Sequence, residues 1–519
     1  MAAGQHGGAM AMAMECDLLV VGGGINGAGI ARDAAGRGLS VLLCEKDDLA
    51  AHTSSASTKL IHGGLRYLEY YEFGLVRKAL IEREVLLRSA PHIMWPLRFV
   101  MPHAKGQRPA WLIRAGLFLY DMLARRELLP ASSSIDLARH AAGKPLQPQF
   151  RRGFVYSDGW VDDARLVVLN AIDAREKGAT ILTRTLCTDL QREADHWRAS
   201  LLRADGTRLQ VRARSVVNAT GPWTADFLRQ AAPGGQGRHL RLIKGSHIVV
   251  KRLFDHDHAY IFQHPDGRIV FAIPYEHDFT LIGTTDLDYQ GDSGKVAIDD
   301  AEISYLCELS SYYFNKQLVP ADVVWTYSGV RPLVEDAAAD AKAVTRDYRF
   351  ELDREGAPLL SVFGGKITTF RKLAEEAVNL LQPLLQPAPG TAKSAWTATA
   401  CLPGGDLFGA VPDNRGVREF GAFVQQLQRQ YAWLPPKLVA RHARAYGTRI
   451  HVLLNGCTAP ADMGEEVASG LYAVEIDYLR RREWAVSAAD ILWRRSKLGL
   501  HLPPETESRL DAWLAAHPL

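Results

Sequence analysis

Residues 16–45 read CDLLVVGGGINGAGIARDAAGRGLSVLLCE, and the order of residue types in this stretch decides the fold. Leu18 to Val21 form an apolar run that breaks into Gly22, Gly24 and Gly27. An alanine-rich amphipathic segment follows, with Ile30, Ala31, Ala34 and Ala35. A second apolar run, Leu39 to Leu43, ends close to Glu45. The pattern is strand, tight turn, helix, strand. Gly22 permits the turn, Gly24 lets a pyrophosphate approach the backbone, and Gly27 lets the helix pack closely on the sheet. The helix N-terminus then faces the phosphates. Glu45 lies about one βαβ length after the first glycine, where a carboxylate accepts both ribose hydroxyls. The stretch predicts a dinucleotide site. Which dinucleotide binds, and for what chemistry, is decided elsewhere in the chain.

At 519 residues the chain is long enough for about three domains. With 47% hydrophobic and 23% charged residues it can bury a large core. A formal net charge of +3 gives no global argument for nucleic acid. The six cysteines (Cys16, Cys44, Cys187, Cys307, Cys401, Cys457) are scattered, with no CxxC pair and no Cys/His cluster. That spacing suggests neither a disulfide framework nor a metal site and fits a reducing compartment. Residues 1–14, MAAGQHGGAMAMAM, lack a basic n-region and an apolar core, and read as a disordered leader rather than a signal peptide. No apolar stretch approaches the ~20 residues of a transmembrane helix, so the expected protein is soluble or peripheral, on the cytosolic side.

After Glu45 comes a polar loop, AHTSSASTK (51–59), which runs into LIHGGLRYL (60–68). Its hydroxyls and backbone N–H groups suit phosphate oxygens, and His62-Gly63-Gly64 joins a titratable ring to a backbone able to lie against a flat cofactor. A plain solvated loop explains the same residues equally well. A helix over 74–90 is stopped by Pro91. From Arg98 to Arg126 the chain carries six basic residues opposed only by Asp121, interleaved with Trp111, Phe118 and Tyr120. This reads as a basic helix suited to an anionic membrane surface, or as a core helix with basic ends. Residues 153–177 read as a turn into a capped helix, and 179–219 as a hairpin meander about Asp205-Gly206 ending in Asn218-Ala219-Thr220-Gly221. Arg241 to Asp288 reads as antiparallel strands, with His247 inside a β-branched run. Leu359 to Phe363, then Gly364-Gly365-Lys366 and a helix through Leu381, repeats strand, glycine turn and positive helix end. A proline-bearing linker, 382–400, leads to a helical remainder (415–432, 436–446, 467–484, 487–497, 505–516) without a glycine loop.

Taken together, GGGINGAGIARDAAGRG, TSSASTKLIHGGLRYLE, NATGPW, RLIKGSHIVV, IGTTD, WTYSGVRPL and SVFGGKITTFRKLAE occur in this order. In these segments the chain resembles the FAD-dependent, respiratory sn-glycerol-3-phosphate dehydrogenases of bacteria, from about Asp17 to the C-terminus and most specifically at 53–69 and 242–250. The resemblance implies an α/β, Rossmann-like FAD-binding domain with an inserted antiparallel-sheet substrate domain and an all-α C-terminal domain. The boundaries are a leader at 1–14, an FAD domain at 15–90, 150–235 and 345–385, a substrate domain at 91–149 and 236–344, a linker at 386–400 and helices at 401–519. It further implies noncovalent FAD, oxidation of glycerol 3-phosphate, ubiquinone or menaquinone as acceptor, homodimers, and residence on the cytoplasmic face of the inner membrane.

The candidate cofactor residues are Gly22, Gly24, Ile25, Asn26 and Gly27; Glu45; Thr53, Ser54, Ser55, Ser57, Lys59, Leu60, His62, Gly63 and Gly64; Ala219, Thr220 and Gly221; and Gly364, Gly365, Lys366, Ile367 and Thr368. A phosphomonoester needs guanidinium forks, for which Arg331, Arg346 and Arg66 stand in turn-flanked positions, with Tyr67 adding a hydroxyl. Lys366 suits the N1/C2 carbonyl edge of a flavin. The base for the hydroxyl proton is His62 or His247, since histidine titrates near neutral pH. The related glycerol-phosphate oxidases resemble this chain at Ile61-His62-Gly63-Gly64, which favours His62. Competing readings are a glycerol-phosphate oxidase using O₂, an amine or amino-acid oxidase of the same fold, and a flavin-dependent RNA-modifying protein. The near-neutral charge argues against the last.

Overall fold

The computed structural model describes residues 14–104, 106–231, 240–263, 268–334, 347–385 and 394–519. The leader through residue 13, Lys105, Arg346 and the middle of the linker, 386–393, lie outside the described residues.

The opening stretch folds as its glycines require. Strand Met14–Val21 lies between Arg208–Asn218 and Val41–Cys44, parallel to both, with Leu18 opposite Ser215 on one side and Val41 on the other. Leu18, Leu19 and Val20 are fully buried. Each such side chain contributes about 1.5–3 kcal/mol through removal from water. Helix Ile25–Gly36 packs against Asp163–Glu176 and Phe370–Leu385. Its small residues allow that approach: a Cβ on Gly29 would stand 2.9 Å from the Phe370 ring. Leu359–Phe363 adds parallel to Arg208–Asn218, and Thr180–Leu182 extends the other edge. The meander Thr185–Arg192, Trp197–Arg203, Arg208–Asn218 turns at Gly206, at φ +85°.

A second, ten-stranded sheet runs Leu240–Lys251, Phe279–Gly283, Ile269–Tyr275, Ala259–Gln263, Met94–His103, Arg152–Val161, Leu60–Ile61, and Leu287–Asp288 pairs the same side of Leu240–Lys251 as Phe279–Gly283 does. Val323–Val334 pairs the outer side of Leu240–Lys251, and Ser133–Asp136 adds to Arg152–Val161. Arg152–Val161 is a correction, because the sequence reading gave a turn there and assigned it to the cofactor domain. All residues of the strand except Arg152 are buried, so it lacks the period-two alternation of a half-exposed strand. The misleading polar residue, Asp158, is buried and paired to Arg83 and Tyr120. Asp162 then caps helix Asp163–Glu176 by accepting from the Arg165 backbone N–H at 3.2 Å.

The basic segment 98–126 divides into the end of strand Met94–His103 and helix Ala110–Met122, instead of one helix. In the C-terminal region, 467–484 is a small hairpin, Glu466–Ala468 with Leu471–Tyr472, before helix Ala473–Glu483. This region has its own core, including Leu427, Val439, Tyr446, Leu479 and Ile491. Buried Arg165–Glu483 and Asp48–Arg495 pairs fasten it to the cofactor-side sheet. Among the described residues no helix is long and apolar enough to cross a membrane.

Candidate active site

The first glycine turn is shaped for a ligand backbone. Gly22 holds φ +112°, and a Cβ there would stand 2.5 Å from the Ala219 carbonyl oxygen. A Cβ on Gly27 would lie 1.9 Å from the Gly22 carbonyl oxygen, so only glycine lets the helix start beneath the turn. The Ile25 N–H at that helix end donates to Ser54 Oγ at 3.0 Å, which ties the polar strap to the turn. Glu45 is buried at the end of its strand. Its Oε2 accepts from the Gly23 N–H at 2.6 Å and its Oε1 from the Asp47 N–H at 2.8 Å. Burial raises its pKa. The carboxylate therefore braces the turn as well as ending the strand; each oxygen retains a second lone pair for a ribose hydroxyl.

One cavity runs from Glu45 past Gly22, Gly24, Ile25 and Asn26, along Ala219-Thr220-Gly221, to Pro332, Gly364 and Gly365. Thr53 and Ser54 form part of its wall. This cradle, lined by three glycine-bearing turns and bounded by a helix N-terminus at one of them, fits FAD. The sequence reading missed Lys46, His52 and Trp223, which line the same cavity. Lys46 Nζ lies 4.1 Å from the Trp223 ring centre, and His52 meets that ring edge-on at 4.8 Å. The signal for Trp223 was its place directly after the Thr-Gly-Pro turn. Three proposed strap residues face elsewhere. Ser57 Oγ and Lys59 Nζ both donate to Asp163, at 2.7 and 2.8 Å, and Leu60 packs with Val76 and Leu80.

At the far end, residues distant in sequence converge. Asn26 Nδ2 donates to the Gly364 carbonyl at 3.1 Å, and the Gly364-Gly365 turn holds φ +70° and +101°. The Thr368 hydroxyl accepts from the His62 N–H at 3.2 Å. Gly63 N–H donates to Tyr120 Oη at 2.9 Å. Gly64, at φ +77°, leaves the Tyr67 ring the space a Cβ would fill. Lys366 Nζ sits 3.6 Å from the centre of that ring. Arg331, on strand Val323–Val334, pairs with Asp286, Nη2 to Oδ1 2.8 Å. The next carbonyl on that strand, of Pro332, stands 3.6 Å from where a Gly364 Cβ would be. Ile367 and half-buried Arg66 flank the same turns. Thr53 Oγ1 donates to the Val330 carbonyl at 2.8 Å and ties the strap to this strand.

His247 has a different setting. It is 2% exposed, its Nε2 shares a hydrogen bond of 3.0 Å with Thr58 Oγ1, and its ring stacks on Tyr327 at 4.7 Å. Burial, then Lys59 and Arg331, hold its pKa well below the usual imidazole value. Neither His247 nor His62 is among the residues that line the cofactor cavity; His62 is joined through Thr368 to the segment that follows its Gly364-Gly365 turn.

The family model for FAD dependent oxidoreductases matches residues 17–371. The glycerol-3-phosphate dehydrogenase of Pseudomonas aeruginosa is 55% identical over 97% of this chain and 96% of its own. The D-erythritol 1-phosphate dehydrogenase of Brucella abortus is 49% identical over 97% of this chain and 98% of its own. Among solved structures, the glycerol-3-phosphate dehydrogenase of Bacillus halodurans complexed with FAD superposes with a TM-score of 0.77 at 28% identity, covering 97% of this chain and 90% of that one. With its glycine cradle and this likeness over nearly its whole length, the chain belongs to the FAD-dependent oxidoreductases and, within them, to the glycerol-3-phosphate dehydrogenases.

Proposed function

We propose that this enzyme feeds electrons from sn-glycerol 3-phosphate to a membrane quinone, ubiquinone or menaquinone, as a homodimer on the cytoplasmic face of an anionic inner membrane. The reaction is oxidation of the secondary alcohol to dihydroxyacetone phosphate, and noncovalent FAD, when bound, supplies the hydride acceptor. The chain's residues do the rest. His62 accepts the hydroxyl proton as the C–H bond gives up its hydride, leaving a ketone. Its backbone is held by Thr368 and by the neighbouring Gly63–Tyr120 bond, so the ring is presented from a fixed turn. Lys366 brings a positive charge to the Gly-Gly turn, where negative charge on the cofactor is stabilised. Arg331, Arg66 and Tyr67, with Arg346 from outside the described residues, hold the phosphate.

The observation that carries this reading is the meeting of the His62 backbone with Thr368 and of Tyr67 with Lys366 beside the Gly364-Gly365 turn, which lines one end of the cofactor cavity. Steady-state kinetics of Arg331→Ala test it, with a large rise in KM for glycerol 3-phosphate expected. Unchanged kcat/KM would sink the phosphate assignment. D-erythritol 1-phosphate belongs in the same assay, and a higher kcat/KM for it would reassign the substrate.

For the membrane, the supporting observation is helix Ala110–Met122. Trp111, Phe118 and Met122 are 72%, 58% and 66% exposed on it, and Tyr71 is 80% exposed on the adjoining turn. Arg125 stands exposed beside this face. An apolar face with basic flanks suits an anionic lipid surface. Quinone reduction under anaerobic turnover tests the acceptor; stoichiometric peroxide in air, with no quinone reduction, would make the protein an oxidase.

A further inference from the structure

The IGTTD segment stands apart from the chemistry derived above, yet its last residue touches the substrate fork. We propose that Asp286 is a positioning residue that aims the Arg331 guanidinium across the sheet at the phosphate of the substrate. The inference rests on the reading of Arg331 as a phosphate ligand.

The geometry begins with register. Strand Leu240–Lys251 is flanked by Leu287–Asp288 on one side and Val323–Val334 on the other. Leu287 faces Lys244 and Asp288 faces Ile243, while Ile243 faces Arg331 on the opposite flank. Two residues further along the central strand, Gly245 faces Gly329 on the outer one. Asp286 and Arg331 therefore stand on opposite sides of one central strand, and they meet, Nη2 to Oδ1 2.8 Å, only by bridging over it. Gly245 keeps the bridge open. A Cβ there would lie 2.6 Å from Thr284 Oγ1 and 3.5 Å from Arg331 Nη2, so a side chain would fill the gap the pair crosses.

Asp286 is itself held from beneath. Thr285 Oγ1 donates to Glu302 Oε1 at 2.7 Å and accepts from the Ser246 N–H at 2.8 Å. Ser246 Oγ donates to the same Glu302 oxygen at 2.9 Å, and Lys244 pairs with Oε2 at 2.7 Å. Glu302 is buried on helix Asp300–Tyr313, whose N-terminus Asp299 caps. Two residues beyond Asp286, Asp288 takes both arms of Arg241 at 2.5 Å. The carboxylate thus projects from a segment fixed on both sides.

The pair does little for stability. Arg331 and Asp286 side chains are 39% and 32% exposed, and ion pairs so placed contribute little to folding. A carboxylate beside a phosphate site also repels a dianion. Its presence makes sense when direction outweighs repulsion: the guanidinium presents a planar fork, and an acceptor on one edge fixes where the other edge points.

These two effects predict opposite signs, which makes the inference testable on the FAD-loaded enzyme. KM and kcat for glycerol 3-phosphate, and competitive inhibition by inorganic phosphate, are measured for Asp286→Ala, Asp286→Asn, Arg331→Ala and the Asp286→Ala/Arg331→Ala double variant. Flavin content is checked by absorbance. In Asp286→Ala, KM and the phosphate inhibition constant should both rise about tenfold, the size of one lost hydrogen bond to a charged group, with kcat held within about threefold. Asp286→Asn keeps an oxygen acceptor in the same place and should restore both to within about threefold of wild type. In the Arg331→Ala background, removing Asp286 should add nothing. An unchanged or lower KM in Asp286→Ala, beside a raised KM in Arg331→Ala, would overturn the positioning role alone. So would equal losses in Asp286→Asn and Asp286→Ala, or a fall in kcat at constant KM. An unchanged KM in Arg331→Ala would mean that the phosphate assignment has failed, and the positioning role with it.

Discussion

Asp48 and Arg495 form a buried, two-pronged ion pair across 447 residues of sequence, with Nη1 to Oδ2 at 2.7 Å and Nη2 to Oδ1 at 2.8 Å. Arg494 adds its Nε to the same carboxylate at 2.6 Å. Asp48 lies three residues past Glu45, so the helical C-terminal region is anchored to the strand end that closes the cofactor cradle. Replacing Asp48 with Ala leaves the Arg495 charge buried without this partner, at a cost of about 3–5 kcal/mol. Thermal unfolding followed by flavin fluorescence should show a lower midpoint, with FAD released at or before the loss of helix signal. An unchanged midpoint would show that the pair is dispensable.

The glycine turn gives a sharper steric prediction. Gly27→Ala places a methyl 1.9 Å from the Gly22 carbonyl oxygen, and backbone cannot yield as a flexible side chain does. Overpacking of this kind costs about 1–3 kcal/mol, paid in cradle geometry. FAD affinity measured by equilibrium dialysis should fall by roughly ten- to a hundredfold. Full retention of cofactor would contradict the close approach of helix and turn.

The two histidines are separated by pH profile. His62→Asn should lower kcat by about 10²–10⁴ and abolish the acidic limb of the kcat/KM profile, as loss of a general base requires. His247→Asn should retain that limb, because its ring is sealed between Thr58 and Tyr327 and is kept neutral by burial. The reverse pattern would move the base to His247.

The sequence reading reached the cofactor end of the site through residues whose spacing is local. Gly22, Gly24, Gly27 and Glu45 sit within one βαβ unit: backbone sterics mark the glycines, and its place at the end of the second strand marks the Glu45 carboxylate. The glycine turns at Ala219-Thr220-Gly221 and Gly364-Gly365 were legible in the same way and line the same cavity; the reading failed at polar side chains that a distant partner takes up. Ser57 and Lys59 have the polarity of phosphate ligands, but a carboxylate from Asp163, more than a hundred residues on, takes both side chains. Strand Arg152–Val161 was hidden because burial on both faces erases the alternation that marks a half-exposed strand, and because Asp158 is neutralised by Arg83 from another element. The basic run 98–126 concealed a strand for a related reason: Arg98, from strand Met94–His103, donates to Ser157 Oγ and to two loop carbonyls.

A pH dependence of stability follows from Glu276, half-buried in the turn between Ile269–Tyr275 and Phe279–Gly283. Burial, then Asp162, push its carboxyl up from 4.5 to about 7, against the opposing pull of Lys497, Lys59 and Arg441. The native state therefore binds more protons than the unfolded state between about pH 4.5 and 7, and stability is lost as pH rises through that window. Glu276→Gln removes this term. In urea unfolding the variant and wild type should agree near pH 4, and the variant should be more stable by about 1 kcal/mol at pH 8. A gap at pH 4 that closes at pH 8 would reverse the sign and refute the assignment.

The exposed helix face is tested by vesicle flotation. Trp111→Ser with Phe118→Ser should reduce binding to anionic vesicles severalfold without lowering turnover with a soluble quinone, since each buried aromatic adds apolar area to the lipid contact. Undiminished flotation would place the membrane contact elsewhere.

The central claim is that one elongated cradle holds FAD beside a polyol-phosphate site. The most direct measurement is the visible spectrum of the purified protein under anaerobic addition of sn-glycerol 3-phosphate. The flavin band should bleach, with one dihydroxyacetone phosphate formed per flavin, and return on addition of a quinone. A band that stays unbleached at saturating glycerol 3-phosphate would contradict it.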